Sequence, residues 1–262
     1  MGRILTITNQ KGGVGKTTTS INLSASLAAT RKKVLLIDLD PQGNATMGSG
    51  IDKNSLQYSG FEWLTQQVTA ADVILPTSEA GYDLLPGHGD LTAAEVKLLG
   101  ESRRERRLLE SLRPILDQYD FVLIDCPPAL NVLTLNALVA AHGVIIPMQC
   151  EYYALEGLSA LIKTIRDIQS TINKTLVIEG VLRTMYDPRN RLSQDVSAQL
   201  VEHFGEKLYR TVVPRNVRLA EAPGFGKPIM YYDPYSKGAK AYLALAGELL
   251  RRNDRRQREE ST

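Results

Sequence analysis

The sequence contains only two cysteines, Cys126 and Cys150, in 262 residues. Two cysteines 24 positions apart provide neither a disulfide framework nor a CxxC metal-binding motif, and free thiols suit a reducing compartment. The apolar segments also fall well short of the ~18 residues that a membrane-spanning helix requires. The N-terminal residues lack the apolar core of a signal peptide. We therefore expect a cytoplasmic protein that does not associate with a membrane.

An excess of charge of either sign is also missing, because the net charge is only +2. The ten residues 251–260 hold five basic and three acidic side chains, so they account for this +2 and the rest of the chain sums to zero. Any binding to DNA would therefore depend on a local basic patch. We predict one domain over residues 1–250 and a charged, disordered tail over residues 251–262.

Short apolar segments alternate with helical patterns along the chain. The predicted strands are 3–9, 34–37, 82–85, 121–124, 144–147, 175–182 and 209–213. The predicted helices start at 16 or lie near 90–118, 131–141, 155–171, 192–204 and 236–251. Strands that are apolar on both faces and alternate with helices favour a parallel sheet covered on both sides. We predict an α/β fold with a doubly wound, mainly parallel sheet and helices on both faces. Ligands bind such folds at the carboxyl ends of the strands.

A glycine-rich loop follows the first predicted strand. Gly12, Gly13 and Gly15 precede Lys16-Thr17, where a helical pattern begins. Glycines let successive backbone N–H groups point at a phosphate, and the helix N-terminus adds partial positive charge. In this arrangement Lys16 reaches the β- and γ-phosphates of a nucleotide and the Thr17 hydroxyl binds Mg²⁺. Strand, glycines, Gly-Lys-Thr and helix in this order predict a P-loop nucleotide-binding protein.

Carboxylates follow two of the predicted strands. Asp38 and Asp40 come after the strand 34–37, and Asp125 comes after the strand 121–124. An apolar strand that ends in aspartate beside a P-loop is the Walker B arrangement, which places a carboxylate near Mg²⁺ or its waters. Asp125 takes this role by position, whereas the residues alone do not rank Asp38 against Asp40.

The loop departs from the ordinary P-loop at two positions. Gln10 replaces the first glycine, and Lys11 adds a second lysine. The form x-K-G-G-x-G-K-T is the deviant Walker A motif, and here the sequence resembles the ParA/Soj family within the ParA/MinD ATPases. The resemblance runs from residue 3 to about residue 250 and includes the segments 38–46, 125–128, 149–158 and 213–223. It implies an ATPase of the deviant P-loop type that takes ATP and Mg²⁺ as cofactors.

The resemblance also implies roles for individual residues. Lys11 reaches across a dimer interface to the partner's phosphates, Asp40 orients or activates the attacking water, and Asp38 supports the Mg²⁺ shell with Thr17 and Asp125. Residues of the segment 213–223 lie around the adenine. The implied nucleotide-binding residues are Lys11, Gly12, Gly13, Val14, Gly15, Lys16, Thr17, Thr18, Pro214, Arg215 and Asn216.

The expected output is binding to DNA. By resemblance, ATP produces a homodimer, and Arg189 and Arg218 contact DNA without sequence preference. Contacts of arginine with phosphate need only charge and reach, so such binding is sensitive to salt. The resemblance further implies a ParB-type centromere-binding partner that stimulates hydrolysis, a role in chromosome (or plasmid) segregation, and location on the nucleoid. The glycine-rich loop within the first dozen or so residues resembles the short, chromosomal type.

Three alternatives share this fold. A MinD-like ATPase that positions proteins on a membrane uses an amphipathic helix, whereas no apolar residue follows Leu250 here. An iron–sulfur carrier or reductase needs cysteines to hold a cluster, and only Cys126 and Cys150 are present. A small-molecule ligase needs a substrate pocket that these motifs do not reveal.

Overall fold

The computed structural model describes residues 2–152 and 154–260. Twenty α-helices and β-strands follow one another along the described chain. They are β1 Arg3–Ile7, α1 Lys16–Ala28, β2 Val34–Asp38, α2 Asn44–Gly48, α3 Gly60–Leu64, α4 Ala70–Val73, β3 Leu75–Pro76, β4 Asp83–Leu85, α5 Leu91–Leu99, α6 Arg107–Leu112, β5 Phe121–Asp125, α7 Val132–Ala140, β6 Gly143–Gln149, α8 Ala154–Thr171, β7 Val177–Tyr186, α9 Arg191–Phe204, β8 Leu208–Pro214, α10 Val217–Glu221, α11 Ile229–Tyr232 and α12 Lys237–Glu260.

The strands form one sheet of eight in the order β3-β4-β2-β5-β1-β6-β7-β8. Every neighbouring pair is parallel except β3 with β4. The chain therefore winds outward from β1 in both directions, which confirms the predicted doubly wound α/β fold. The carboxyl ends of β1, β2 and β5 lie side by side, so the loops that follow them meet at one edge.

Both faces of the sheet are buried, which explains why its strands are apolar throughout. On β2, Leu35 and Ile37 pack into one hydrophobic cluster, whereas Val34 and Leu36 pack into the other. This alternation follows from the pleat, because successive side chains of a strand point to opposite faces. Helices α5 to α9 contribute to the first cluster, and α1 and α12 contribute to the second.

The prediction of a disordered tail is wrong for the described part of it. Helix α12 continues without a break to Glu260, and residues 261 and 262 lie outside the described residues. The helix is held to the sheet by its arginines: Arg252 donates to the carbonyl oxygens of Glu179 at 3.1 Å and of Leu208 at 3.0 Å, and Arg256 Nη2 bonds to the buried Glu179 side chain at 2.9 Å. These contacts with buried groups of β7 and β8 stabilise a helical conformation that charge composition alone does not favour. The division of the chain at residue 250 stays a prediction.

Candidate functional site

The glycine-rich loop joins β1 to α1 and leaves an open space above itself. Gly13 (φ 72°) and Gly15 (φ 86°) adopt left-handed backbone conformations that only glycine adopts without strain. A Cβ atom at Gly12 or Gly13 would meet no other atom within 4 Å, so the space beside them is open. Gly15 caps α1 without a side-chain hydrogen bond, which leaves the first N–H groups of the helix available to an anion.

The side chain of Lys16 lies along the inner side of this loop. Lys16 is only 6% exposed, and its Nζ donates to the carbonyl oxygen of Lys11 at 3.1 Å. Burial lowers the pKa of Lys16, while the nearby carboxylates of Asp125 and Asp40 oppose this by attraction. The ammonium thus lies across the mouth of the loop, next to the α1 N-terminus. Phosphate oxygens are the ligands that this combination of donors accepts.

Asp125 ends β5 beneath the loop and accepts hydrogen bonds from the first turns of α1. Thr17 Oγ1 donates to Asp125 Oδ2, and Ser20 Oγ donates to Asp125 Oδ1, both at 2.8 Å. Asp38 lies directly opposite Asp125 in the register of β2 and β5. Burial, and then repulsion from Asp38, raise the pKa of Asp125 to about 8.

Asp38 is equally buried and is fixed by α2. Its Oδ2 accepts from both the backbone N and the Oγ1 of Thr46 at 2.8 Å. Burial raises the pKa of Asp38 to about 6, although these bonds from Thr46 stabilise the charged form. Sequence reasoning missed Thr46, whose only signal is its place at the end of the segment 38–46.

Asp40 lies in the turn between β2 and α2. Its backbone N donates to Asp38 Oδ1 at 3.2 Å, and its own Oδ1 accepts from Gln42 N at 2.9 Å. Asp40 is 8% exposed. The structure thus brings Asp38, Asp40 and Asp125 to the carboxyl edge of the sheet beside Lys16, as the sequence predicts.

The donor set fits a Mg²⁺–phosphate ligand. Asp125 and Asp40 both attract the Lys16 ammonium, and burial is the main reason that the pKa of Asp125 is raised, followed by repulsion from Asp38. No set of three or more His, Cys, Asp or Glu side chains within residues 2–152 and 154–260 is arranged to hold a metal by itself. Mg²⁺ usually takes one or two protein ligands and completes its shell with water and substrate phosphates. Thr17 and Asp125 are the groups that could hold it here.

Lys11 is directed away from its own loop. Its side chain is 42% exposed, and its Nζ forms an ion pair with Glu151, which follows β6. The backbone N of Lys11 donates to Asn9 Oδ1 at 3.0 Å, and Asn9 Nδ2 donates to the Pro147 carbonyl at 2.8 Å. The start of the loop is therefore anchored to β6, with the Lys11 ammonium on the outer rim. Sequence reasoning did not identify Glu151 as its partner.

The segment that follows β8 is joined to the end of β7, the strand that contacts the phosphate loop. Asn216 caps α10, because its Oδ1 accepts from Leu219 N at 3.3 Å. Arg215 N donates to the Tyr186 carbonyl at 3.3 Å. Thr184 on β7 donates to the carbonyl of Val14 at 2.7 Å, which ties the last strands to the phosphate loop. The assignment of Pro214, Arg215 and Asn216 to adenine stays a prediction.

Arg189 and Arg218 lie at the same edge of the sheet. They follow β7 and β8, which are parallel neighbours whose ends are in register. Both arginines are exposed, and each is paired with carboxylates nearby in the fold. Arg189 Nη2 contacts Asp187 at 2.8 Å, and Arg218 contacts Glu221 at 2.8 Å and Asp233 at 3.6 Å. Their role in binding DNA stays a prediction.

The two cysteines are unsuited to hold an exposed cluster. Cys126 is fully buried with its Sγ 3.2 Å from Thr6 Oγ1, and Cys150 is 3% exposed. Burial raises the pKa of Cys126 to about 12 and that of Cys150 to about 11. Thiolates are the ligands of iron–sulfur clusters, so both positions disfavour the iron–sulfur alternative.

The doubly wound sheet, the glycine-rich loop and the lysine across it define the class of P-loop nucleotide-binding proteins. A family model described as an AAA domain matches residues 2–178. The sporulation initiation inhibitor protein Soj of Bacillus subtilis is 51% identical over 249 residues, 95% of this chain and 98% of that protein. The chromosome partitioning protein ParA of Myxococcus xanthus is 49% identical over 253 residues, 97% of this chain and 89% of that protein.

Solved structures share the fold over nearly the whole chain. A Mycobacterium smegmatis protein described as cobyrinic acid a,c-diamide synthase, with bound ADP and magnesium, matches with a TM-score of 0.84 at 39% identity, over 96% of this chain and 95% of that one. The cell division ATPase MinD of Pyrococcus furiosus matches with a TM-score of 0.78 at 28% identity, over 96% and 99%. This chain belongs to the ParA/Soj family of chromosome-partitioning ATPases.

Proposed function

We propose that the chain is an ATP-driven switch that dimerises, binds DNA without sequence preference and hydrolyses ATP to segregate chromosomes or plasmids. The observation that carries this proposal is the opposite orientation of two lysines in one loop. Lys16 Nζ lies across the inside of the loop, whereas Lys11 Nζ lies on the exposed rim with Glu151. Lys16 is the lysine that a phosphate site needs in its own subunit. Lys11 is not needed there and could complete the site of another subunit.

The nucleotide site would work through positioning and charge. The N–H groups of the loop and Lys16 would hold the phosphates, and Thr17 and Asp125 would hold Mg²⁺, which neutralises phosphate charge when bound. Asp38 would support that shell, and Asp40 would orient the attacking water. The ADP and magnesium in the related M. smegmatis structure support this assignment of cofactors.

Dimerisation would complete the site. A lysine that enters the partner's site adds positive charge where the γ-phosphate is cleaved, as an arginine finger does in other P-loop enzymes. Lys11 has the exposure that this contact requires, since its side chain is 42% exposed. Its ion pair with Glu151 is between half-exposed groups, which costs little to break.

The dimer would display a doubled set of arginines to DNA. Arg189 and Arg218 follow neighbouring parallel strands, so each subunit presents both at one edge. A ParB-type partner would stimulate hydrolysis, which splits the dimer and releases DNA. The protein would thus work in the cytoplasm, on the nucleoid.

The decisive experiment measures DNA binding by fluorescence anisotropy with ATP, with ADP and without nucleotide, on two unrelated duplexes and at two salt concentrations. Tight, salt-sensitive binding in ATP alone, equal for both duplexes, is the expected result. Equal binding in ATP and ADP would refute the switch.

The related M. smegmatis structure favours a second candidate, a small-molecule ligase, by its description. The same experiment separates the two, because a ligase has no reason to bind DNA in an ATP-dependent manner.

The MinD-like alternative predicts ATP-dependent binding to phospholipid vesicles instead. In residues 2–152 and 154–260, no helix has the length and apolar character needed to cross a bilayer.

A further inference from the structure

Helix α2 lies between the carboxylates of the nucleotide site and the helix that carries Arg218. The turn that holds Asp40 leads directly into α2, because Gly43 N donates to the Asp40 carbonyl at 2.9 Å and Met47 N donates to the Gly43 carbonyl at 3.1 Å. Thr46, in the middle of α2, donates twice to Asp38. A change in the position of either carboxylate therefore acts on α2 directly.

A second loop fixes this end of α2. Gly87 N donates to Thr46 Oγ1 at 2.9 Å. A Cβ atom at Gly87 would lie 2.8 Å from Asp38 Cγ, and one at Gly43 would lie 2.7 Å from the Gly87 carbonyl oxygen. There is thus no spare room around Asp38, Thr46 and Gly87. A displacement of Asp38 or Asp40 therefore has to move α2 itself, because the side chains around it cannot absorb the change.

The other end of α2 rests on the segment that follows α10. Gly50 (φ 83°) and Gly226 (φ 63°) meet backbone to backbone: a Cβ on Gly50 would lie 2.8 Å from the Gly226 oxygen, and one on Gly226 would lie 2.7 Å from Gly50 Cα. A Cβ on Gly48 would lie 2.6 Å from Ile21 Cδ1 and 3.5 Å from Pro223 Cβ. Glycine is the one residue that allows this approach.

Arg218 belongs to the same rigid unit as Gly226. Helix α10 passes directly into the 3-10 turn 222–225, which Gly226 caps. Glu221 accepts from both Arg218 and Tyr232, and the Tyr232 ring lies 5.0 Å from that of Phe225. A displacement at Gly226 is therefore transmitted along the unit to Arg218.

The geometry points to residues 44–50 as the coupling element that makes DNA binding depend on the nucleotide, through the Gly50–Gly226 contact. This inference rests on the proposed DNA-binding switch and adds to it the path by which the carboxylate turn controls Arg218.

The test is the ratio of DNA affinities in ATP and in ADP, measured by anisotropy, for wild type and Gly50→Ala. An added methyl group at residue 50 forces the two backbones apart without touching the phosphate loop or Arg218. We expect ATP binding and ATP-driven dimerisation within about twofold of wild type, and a fall of about tenfold or more in the ratio, within the usual range of coupling between sites.

Gly81→Ala is the matched control. Gly81 also has positive φ (74°), but the nearest atom to a Cβ there is Ala28 Cβ at 3.8 Å, an ordinary contact. The substitution puts alanine at a similar positive φ without a clash, so its ratio should equal that of wild type. Gly226→Asn opens the same contact from the other side with less strain, since Asn tolerates the left-handed region, and it replaces Gly50→Ala should that variant fail to fold.

The outcomes are distinguishable. A wild-type ratio near one refutes the proposed switch itself and this inference with it. If the wild-type ratio is well above one and Gly50→Ala or Gly226→Asn has the same ratio, only the coupling element is refuted. Loss of dimerisation in a folded variant also refutes the coupling element. The Gly50–Gly226 contact would then be needed for dimerisation itself and not for the step that links the dimer to DNA binding.

Discussion

Asp125 should make the nucleotide-free protein less stable as pH rises, and Asp125→Asn should remove most of that effect. The carboxyl group is fully buried opposite Asp38, and its pKa is raised from 3.8 to about 8. A group with a raised folded-state pKa holds its proton more tightly when folded than when unfolded. The free energy of unfolding therefore falls as pH rises from about 4 to about 8, and is level above that.

The structure sets the size of the effect. Each pKa unit is worth about 1.36 kcal/mol, so a rise to about 8 is worth at most about 6 kcal/mol. Part of this rise comes from repulsion by Asp38, which is absent while Asp38 is protonated below about pH 6. We therefore expect a gain of about 3 kcal/mol for Asp125→Asn at pH 8 and little gain at pH 4.

The assay is urea unfolding of nucleotide-free protein at intervals from pH 4 to pH 8. Asp195→Asn, on the exposed surface of α9, is the matched control and should follow the wild-type curve. Equal pH slopes for wild type and Asp125→Asn would refute the reasoning. Mg²⁺ and nucleotide should reverse the trend in wild type, since they stabilise the ionised carboxylate, and should stabilise Asp125→Asn less.

Three further substitutions test separate steps. Lys11→Ala should abolish ATP-dependent dimerisation in light scattering while nucleotide binding through Lys16 persists; full dimerisation would rule out its role across the interface. Asp40→Ala should bind ATP and dimerise, yet lose on the order of 10²-fold in turnover measured with partner and DNA, as is typical for a positioned catalytic group. Near-normal turnover would move that role to Asp38. Arg218→Glu should remove DNA binding in anisotropy without loss of dimerisation, and wild-type DNA affinity would exclude Arg218 from the DNA surface.

The fold and the position of the phosphate loop could be predicted because their signals are local in sequence. Apolar strands, glycines and the lysine occur in one continuous order, and a strand that ends in aspartate places Asp38 and Asp125 at the sheet edge. The sheet brings them together without further information, since parallel strands end at a common edge.

The groups that hold these residues in place could not be predicted in the same way. Glu151, Thr184 and Gly87 reach the site from β6, β7 and the loop after β4, far away along the chain. Each is recognisable only once the strand order is known. Gly87 in particular has no positive φ to signal it and is required only because Asp38 lies against it.

The C-terminal arginines show why a count of charges is a poor guide to DNA binding. Residues 251–260 carry the whole net charge of +2, which suggests a free basic tail. In the fold, Arg256 and Arg3 both bond to the buried Glu179, and Arg252 stacks on Tyr209 at 4.2 Å while it bonds to Glu248. A buried carboxylate without such partners would cost several kcal/mol, so these arginines are committed to holding both ends of the chain on the sheet. They lie at the edge where β1, β7 and β8 begin, away from the phosphate loop, which supports the proposal that arginines at the other edge make the ATP-controlled contact with DNA.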